Sequence, residues 1–202
     1  AINSRRGELD YSHQRVRGTR QHLVANAVLA DDGHGGSIAL QQPFATLEST
    51  HAYSISLHES TTIAQRYSNR HLAACYRISS RSSRLWYSHS QGGASKIRPS
   101  IEVRYLESDY TPLGIYSYAP IDRRHLQTTL GLLAWRPRYT KTRFVDNLGP
   151  IEDLQTGGWL VLRSGLAVPL ASDDRTFAVY SLQLSPRWMP WPHTYILSTL
   201  YA

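Results

Sequence analysis

The feature that most constrains this chain is its period. Along most of its 202 residues apolar and polar side chains trade places every second position, and no stretch carries the spacing of an amphipathic helix. "KIRPSIEVRYLES" (96–108) is the clearest case. Ile97, Pro99, Ile101, Val103 and Tyr105 fall on one side, and Arg98, Ser100, Glu102 and Arg104 on the other. A strand sends successive side chains to opposite faces, so this pattern spells a strand with one oily and one polar face. In "RHLAACYRISSRSSRLWYSHS" (70–90), Leu72, Ala74, Tyr76 and Ile78 stand opposite His71, Cys75, Arg77 and Ser79, and the stretch is expected to give two strands, at about 70–80 and 82–91. Similar segments occur at 20–30, 37–44, 50–58, 126–135, 158–168, 176–184 and 194–202. Between them lie turn signals such as "DDGHGG" and "QGGAS".

Period two alone does not say which face meets water. A soluble sandwich buries its apolar face, whereas a membrane barrel turns that face to lipid and its polar face to a lumen. Three features favour the barrel. The segments run to about 9–11 residues, the length of a tilted membrane-crossing strand, against about 5–6 for the commonest soluble strand. Ser, Thr, Gln, Arg and Gly recur on the second face. Aromatics gather near segment ends: Trp86 and Tyr87, Tyr105 and Tyr110, Tyr116 and Tyr118, Trp135 and Tyr139, Trp188 and Trp191. Rings of that kind belt membrane interfaces. The longest apolar run, "LGLLAW" at 130–135, falls far short of the roughly 20 residues of a membrane helix, so any crossing is made by strands.

Charge is the next constraint. The formal charge is +7, and only Lys96 and Lys141 are lysines, so the basicity is arginine. The arginines are dispersed, with no Lys/Arg run of the kind that marks a nucleic-acid patch, and no nucleic-acid partner is expected. Arg77, Arg98, Arg104 and Arg163 fall on polar or mixed positions and are expected to line the lumen, Arg163 sharing its alternation set with Trp159 and Val161. A lumen lined by arginine favours anions.

Catalytic and metal chemistry find little support. The single cysteine, Cys75, excludes an internal disulfide and a CxxC site, and the nine histidines show no HxxxH or HExxH spacing. No cofactor or metal is expected. An outer-membrane enzyme would need acids and histidines meeting at a rim, for which Asp31, Asp32, His34, Asp173 and Asp174 are available, or a Ser–His pair such as that in "SHS" (88–90). Ser88 and His89 are adjacent in a strand and point apart, so they form no direct dyad. A soluble β-sandwich or lipocalin-like binding protein is the third possibility.

Two stretches resemble the bacterial surface-antigen superfamily of outer-membrane barrels, which includes barrel-assembly insertases and two-partner secretion transporters. At 17–57, Gly18-Thr19 and the Pro43-Phe44 pair match its opening hairpins. At 120–168, Tyr139, Lys141, Gly149, Glu152, Asp153 and Gly157 match the order and spacing of its mid-barrel loop, where Glu152 or Asp153 could pair with Arg163. The family's Val-Arg-Gly motif belongs near the C-terminal strands, whereas Val16-Arg17-Gly18 lies at the other end. The resemblance implies an all-β fold, an antiparallel transmembrane β-barrel with about 10–12 strands in this single-domain chain, whole or in part. It further implies a bacterial outer-membrane location and a role in protein insertion, secretion or solute passage. The partners would be lipid bilayer and lipopolysaccharide, with protein substrates or an assembly or secretion partner. No leader is visible at the first residues, so an export signal would lie outside this chain.

Overall fold

The computed structural model describes residues 5–114, 118–143, 151–170, 175–191, 194–197 and 199–201. The strands, in chain order, are β1 (Arg6–His13), β2 (His22–Ala30), β3 (Gly33–Gln42), β4 (His51–Ser68), β5 (His71–His89), β6 (Lys96–Pro112) and β7 (Arg123–Trp135). They continue with β8 (Tyr139–Arg143), β9 (Ile151–Gln155), β10 (Trp159–Pro169), β11 (Phe177–Ser185), β12 (Arg187–Trp191), β13 (Thr194–Leu197) and β14 (Leu200–Tyr201). Ten of them form one antiparallel sheet in the order β1-β2-β3-β4-β5-β6-β7-β10-β11-β14, a meander in which each strand lies beside the next. Two small hairpins, β8–β9 and β12–β13, leave the sheet and return to it. Among the described residues β1 pairs with β2 alone and β14 with β11 alone, so the sheet does not close on itself.

Partners across an antiparallel ladder share a face, so the registers sort every side chain of the sheet. One face carries Leu9 and Tyr11 of β1, Leu23 and Leu29 of β2, Ile38 and Leu40 of β3, and Ile55 and Leu57 of β4. It continues through Leu85, Tyr87, Ile101, Val103, Leu130 and Leu132 to Leu162, Leu166, Leu182 and Leu184. Among the described residues no second layer packs on these apolar side chains: Leu29 is 72% exposed, Leu130 62% and Leu166 54%. The opposite face carries Asn26, Ser37, Ser54, Ser56, Arg84, Ser88, Arg98, Ser100, Glu102, Thr129, Arg163 and Ser181. The buried residues Ala52, Ser88, Ala167 and Ser185 lie on this polar side, with Ala74 and Tyr76. Burial has therefore moved to the polar face, the reverse of a soluble half-wetted sheet.

Three strands outrun the apolar band. β4, β5 and β6 have 18, 19 and 17 residues. At about 3.4 Å per residue β5 extends to roughly 60 Å, whereas the apolar band of a membrane barrel is about 25 Å tall. The band ends on β4–β7 at a charged row on the apolar side. In it Glu59, Arg81, Glu107 and Arg124 are successive cross-strand neighbours, with Arg81–Glu59 at 3.0 Å and Arg124–Glu107 at 2.9 Å. On β2 the apolar side chains reach Leu29, level with His34, Thr61, Ser79 and Asp109 one row beyond those charges. The band thus drifts along the register from strand to strand, as it does where strands are tilted to its plane.

Several sequence expectations change. The segments 70–80 and 82–91 are one continuous strand, β5, and its alternation reverses phase midway. Leu85 and Tyr87 lie on the apolar face, but Ala74, Tyr76 and Ile78 lie on the polar one. The oily stripe that begins at Leu72 is therefore not continuous with the exposed band. Beyond the charged row the apolar residues change faces: Tyr76 packs edge-on to Tyr110 at 6.0 Å. The segment 194–202 is not one strand, since β13 pairs with β12 and β14 with β11. Two strands join at Asn69 and Arg70, both at positive φ (48° and 67°), the left-handed pair of a tight hairpin turn.

Candidate functional site

The densest cluster of charge on the polar face spans β5, β6, β7 and β10. Cross-strand pairing puts Arg84 opposite Arg104, and Trp86 opposite Glu102. One row further, Ser88, Ser100, Gly131 and Arg163 lie side by side across four strands. Arg98 and Leu133 form the next row, beside Val161. These positions enclose a cleft of about 230 Å³.

Glu102 organises one wall. Its Oε2 accepts from Arg84 Nε at 2.8 Å and from Arg84 Nη2, while its Oε1 accepts from Arg104 Nη2 at 2.9 Å. The carboxylate is only 16% exposed, against 40% and 37% for the two arginine side chains. A sheltered acid needs such charge-assisted partners to offset its lost hydration. It neutralises one guanidinium and leaves the other in excess.

Arg98 forms the second wall. Its guanidinium lies between two rings, 3.7 Å from the centroid of Phe44 and 4.2 Å from that of Trp135, and its Nε donates to Ser90 Oγ at 3.1 Å. Stacking of a planar cation on aromatic faces suits arginine and not lysine. Phe44 comes from the β3–β4 connection, so this connection reaches onto the polar face. Arg163 faces the cleft from β10. Among the described residues it makes no hydrogen bond or ion pair.

The four arginines expected to act together are not all together. Arg98, Arg104 and Arg163 share the polar face. Arg77 pairs with Ile63 and Thr111 on the other face, beyond the charged row, so it takes no part in this lining. It was grouped with the others because β5 reads as two strands, and the phase reversal is invisible in either half. Arg84 was not singled out for the same reason. A single strand running from His71 to His89 would have given it the parity of Ser88. Glu102 was legible as a neighbour of Arg98 and Arg104, but its role as a shared counter-ion was not.

The loop motif folds as the β8–β9 hairpin. Tyr139 and Lys141 lie on β8, and the backbone of Asp153 pairs with Lys141 and that of Glu152 with Thr142. Gly149 and the side chains of Glu152 and Asp153 lie outside the described residues. Gly157 follows the hairpin where a Cβ would fall onto the carbonyl of Arg136, so the close approach of the two chains there requires glycine.

The aromatic assignments divide. Tyr87 and Tyr105 lie on the apolar face, but Trp86, Tyr110 and Trp135 lie on the polar face. At the loop end of the band on β4 and β5, His51 Nδ1 and Tyr87 Oη are 2.7 Å apart, and His89 lies beside His51. Val16-Arg17-Gly18 is a short turn between β1 and β2. Ser88 donates its hydroxyl to the Pro99 carbonyl at 2.9 Å, and the register puts it on the face opposite His89. Asp31 accepts from the backbone N–H of Arg5 in the β2–β3 turn. Asp173 and Asp174 lie outside the described residues. Among the described residues no group of three or more His, Cys, Asp or Glu side chains could hold a metal, and no helix is long and apolar enough to cross a membrane. Comparisons with protein-family models, curated proteins and solved structures find no match to this chain.

Proposed function

We propose that this chain forms the strands of a bacterial outer-membrane β-barrel of the surface-antigen type. Its apolar face meets lipid, and its polar face lines a hydrated, cationic lumen. The observation that carries the reading is the inverted burial: Leu29, Leu130 and Leu166 are bare, while Ser88 and Ser185 on the other side are buried. Such an apolar face across nine strands exceeds what a soluble monomer exposes. Lipid supplies the missing partner. The charged row of Glu59, Arg81, Glu107 and Arg124 then marks the level at which hydrocarbon gives way to headgroups, including those of lipopolysaccharide.

In this reading the arginines of the polar face favour anions, and the protein acts in insertion or secretion of proteins or in passage of solutes. The motif residues Tyr139, Lys141, Glu152, Asp153 and Gly157 support the family, and the mid-sheet position of the hairpin that carries them supports it too. Closure requires a partner for β1 at one edge and, at the other, for β14 and the length of β11 that the two-residue β14 leaves uncovered, because bare backbone groups are intolerable in hydrocarbon.

The test is refolding in the presence of phospholipid vesicles. The reading predicts that the protein floats with the vesicles through alkaline carbonate and urea washes. Recovery in the aqueous phase, with native β circular dichroism and no detergent, would contradict it.

A further inference from the structure

We propose that the cleft between Arg84, Arg98 and Arg163 is a discrete binding site for a phosphate-type oxyanion dissolved in the lumen. The proposal rests on the water-facing polar face of the reading above, though not on the bilayer itself.

Three observations meet here. The first is charge. Arg84, Arg98 and Arg163 line the cleft with a single carboxylate, Glu102, which Arg84 shares with Arg104, so positive charge is left in excess there. The second is an uncommitted donor. Arg84 and Arg104 are held by Glu102 and Arg98 by its two rings and Ser90, whereas Arg163 has no partner among the described residues. A guanidinium carries five N–H donors in a planar fork that matches the oxygens of a phosphate in pairs. The third is space. Between Arg163 and Ser100 the register places Gly131, where a Cβ would come within 2.4 Å of Ser100 Oγ. The cleft around it measures about 230 Å³ and is lined by the hydroxyls of Ser88, Ser100 and Thr129. The floor is thus pared to hydrogen atoms and hydroxyls where the cationic side chains converge.

The arrangement divides the work. Arg98 is clamped by Phe44 and Trp135 and is preorganised, so little side-chain entropy is lost when it meets an anion. Arg163, exposed and without a partner among the described residues, supplies the second fork. Adjacent strands lie about 4.8 Å apart and rise about 3.4 Å per residue, so β6 and β10, two strands apart, set Arg98 and Arg163, one row apart, roughly 12 Å from each other at the backbone, a span that two arginines can bridge through one tetrahedral anion. The ligand is water-borne, because the site faces away from the apolar band. A dianion is favoured over chloride, because only a polyatomic oxyanion offers paired acceptors to each fork.

The experiment is calorimetric titration of inorganic phosphate into the full chain at constant ionic strength, in detergent micelles or in buffer, whichever keeps it folded. Saturable binding, tighter than that of chloride, is expected. Arg163→Gln should weaken it at least tenfold, since hydrogen bonds to charged groups contribute about 1.5–3 kcal/mol and each 1.4 kcal/mol is tenfold. Gly131→Val should weaken it by filling the floor. Arg77→Gln, on the opposite face, should leave it unchanged. Glu102→Gln should tighten it several-fold, a direction that misfolding would not produce. The proposal is overturned if phosphate binds no more tightly than chloride, or if Arg77→Gln and Arg163→Gln weaken it equally. A protein that binds phosphate yet does not associate with vesicles contradicts the membrane reading alone. One that inserts but fails to bind phosphate contradicts this inference alone.

Discussion

Leu130 and Ser181 are separated by two strand steps, yet their side chains point into opposite environments. Leu130 pairs with Ile101 and Ser164 on the bare apolar face, and Ser181 pairs with Arg163 on the polar one. An arginine near the bilayer midplane of a barrel's lipid face costs about 2–4 kcal/mol. Leu130→Arg should therefore lower the unfolding free energy of the vesicle-inserted protein by about that amount in a urea titration. Ser181→Arg should change it by less than about 0.5 kcal/mol, as surface substitutions do. Equal losses at both positions would remove the distinction between the faces. Residue identities were legible from the sequence where a strand keeps one phase: Arg98, Glu102 and Arg104 alternate with Ile97, Ile101 and Tyr105, and the structure keeps that division. The contacts were not legible. Phe44 and Trp135 are far from Arg98 in sequence and meet it only because a connection and a neighbouring strand bring them there.

At the scale of the element, β5 is the informative strand. Its half near His89 belongs to the apolar band, and its half near His71 stands beyond the row of Glu59, Arg81, Glu107 and Arg124. Cys75 lies in that outer half, pairs with Gln65 and is partly exposed. Vesicle-inserted protein should therefore react at Cys75 with a membrane-impermeant maleimide supplied on one side of the bilayer. A variant carrying Leu85→Cys, with Cys75→Ser, should be protected and should instead be accessible to a lipid-soluble thiol reagent. Protection of Cys75 and ready aqueous labelling at position 85 would reverse the assignment. The full length of β5 is not legible in the sequence because its apolar phase reverses at the charged row, and a reversal looks like a break. β1 escaped notice for a related reason. Its alternation is real, Glu8 and Asp10 against Leu9 and Tyr11, but two apolar residues give too little signal in a polar segment. The β8–β9 hairpin reads as a loop because each strand has only five residues.

For the whole molecule, what matters is that nine strands of one sheet, on the band side of the charged row, agree on which side is apolar. Among the described residues no second layer covers that side, and the opposite side holds the serines and arginines. Local alternation made the all-β class legible, because period two survives in almost every segment. Closure was not legible, because it depends on which edges meet, and the edges of β1 and β14 stay apart among the described residues. The central claim is that the apolar face lies in hydrocarbon and the polar face in water. The most direct measurement is a nitroxide scan of β6 in vesicles, one label at a time from position 97 to position 105, recording collision rates with oxygen and with a water-soluble nickel chelate. The account predicts a strict period of two, with odd positions accessible to oxygen and even positions accessible to nickel. Nickel accessibility at 97, 101 and 103 together with oxygen accessibility at 98, 102 and 104 would contradict it, and so would the absence of any period.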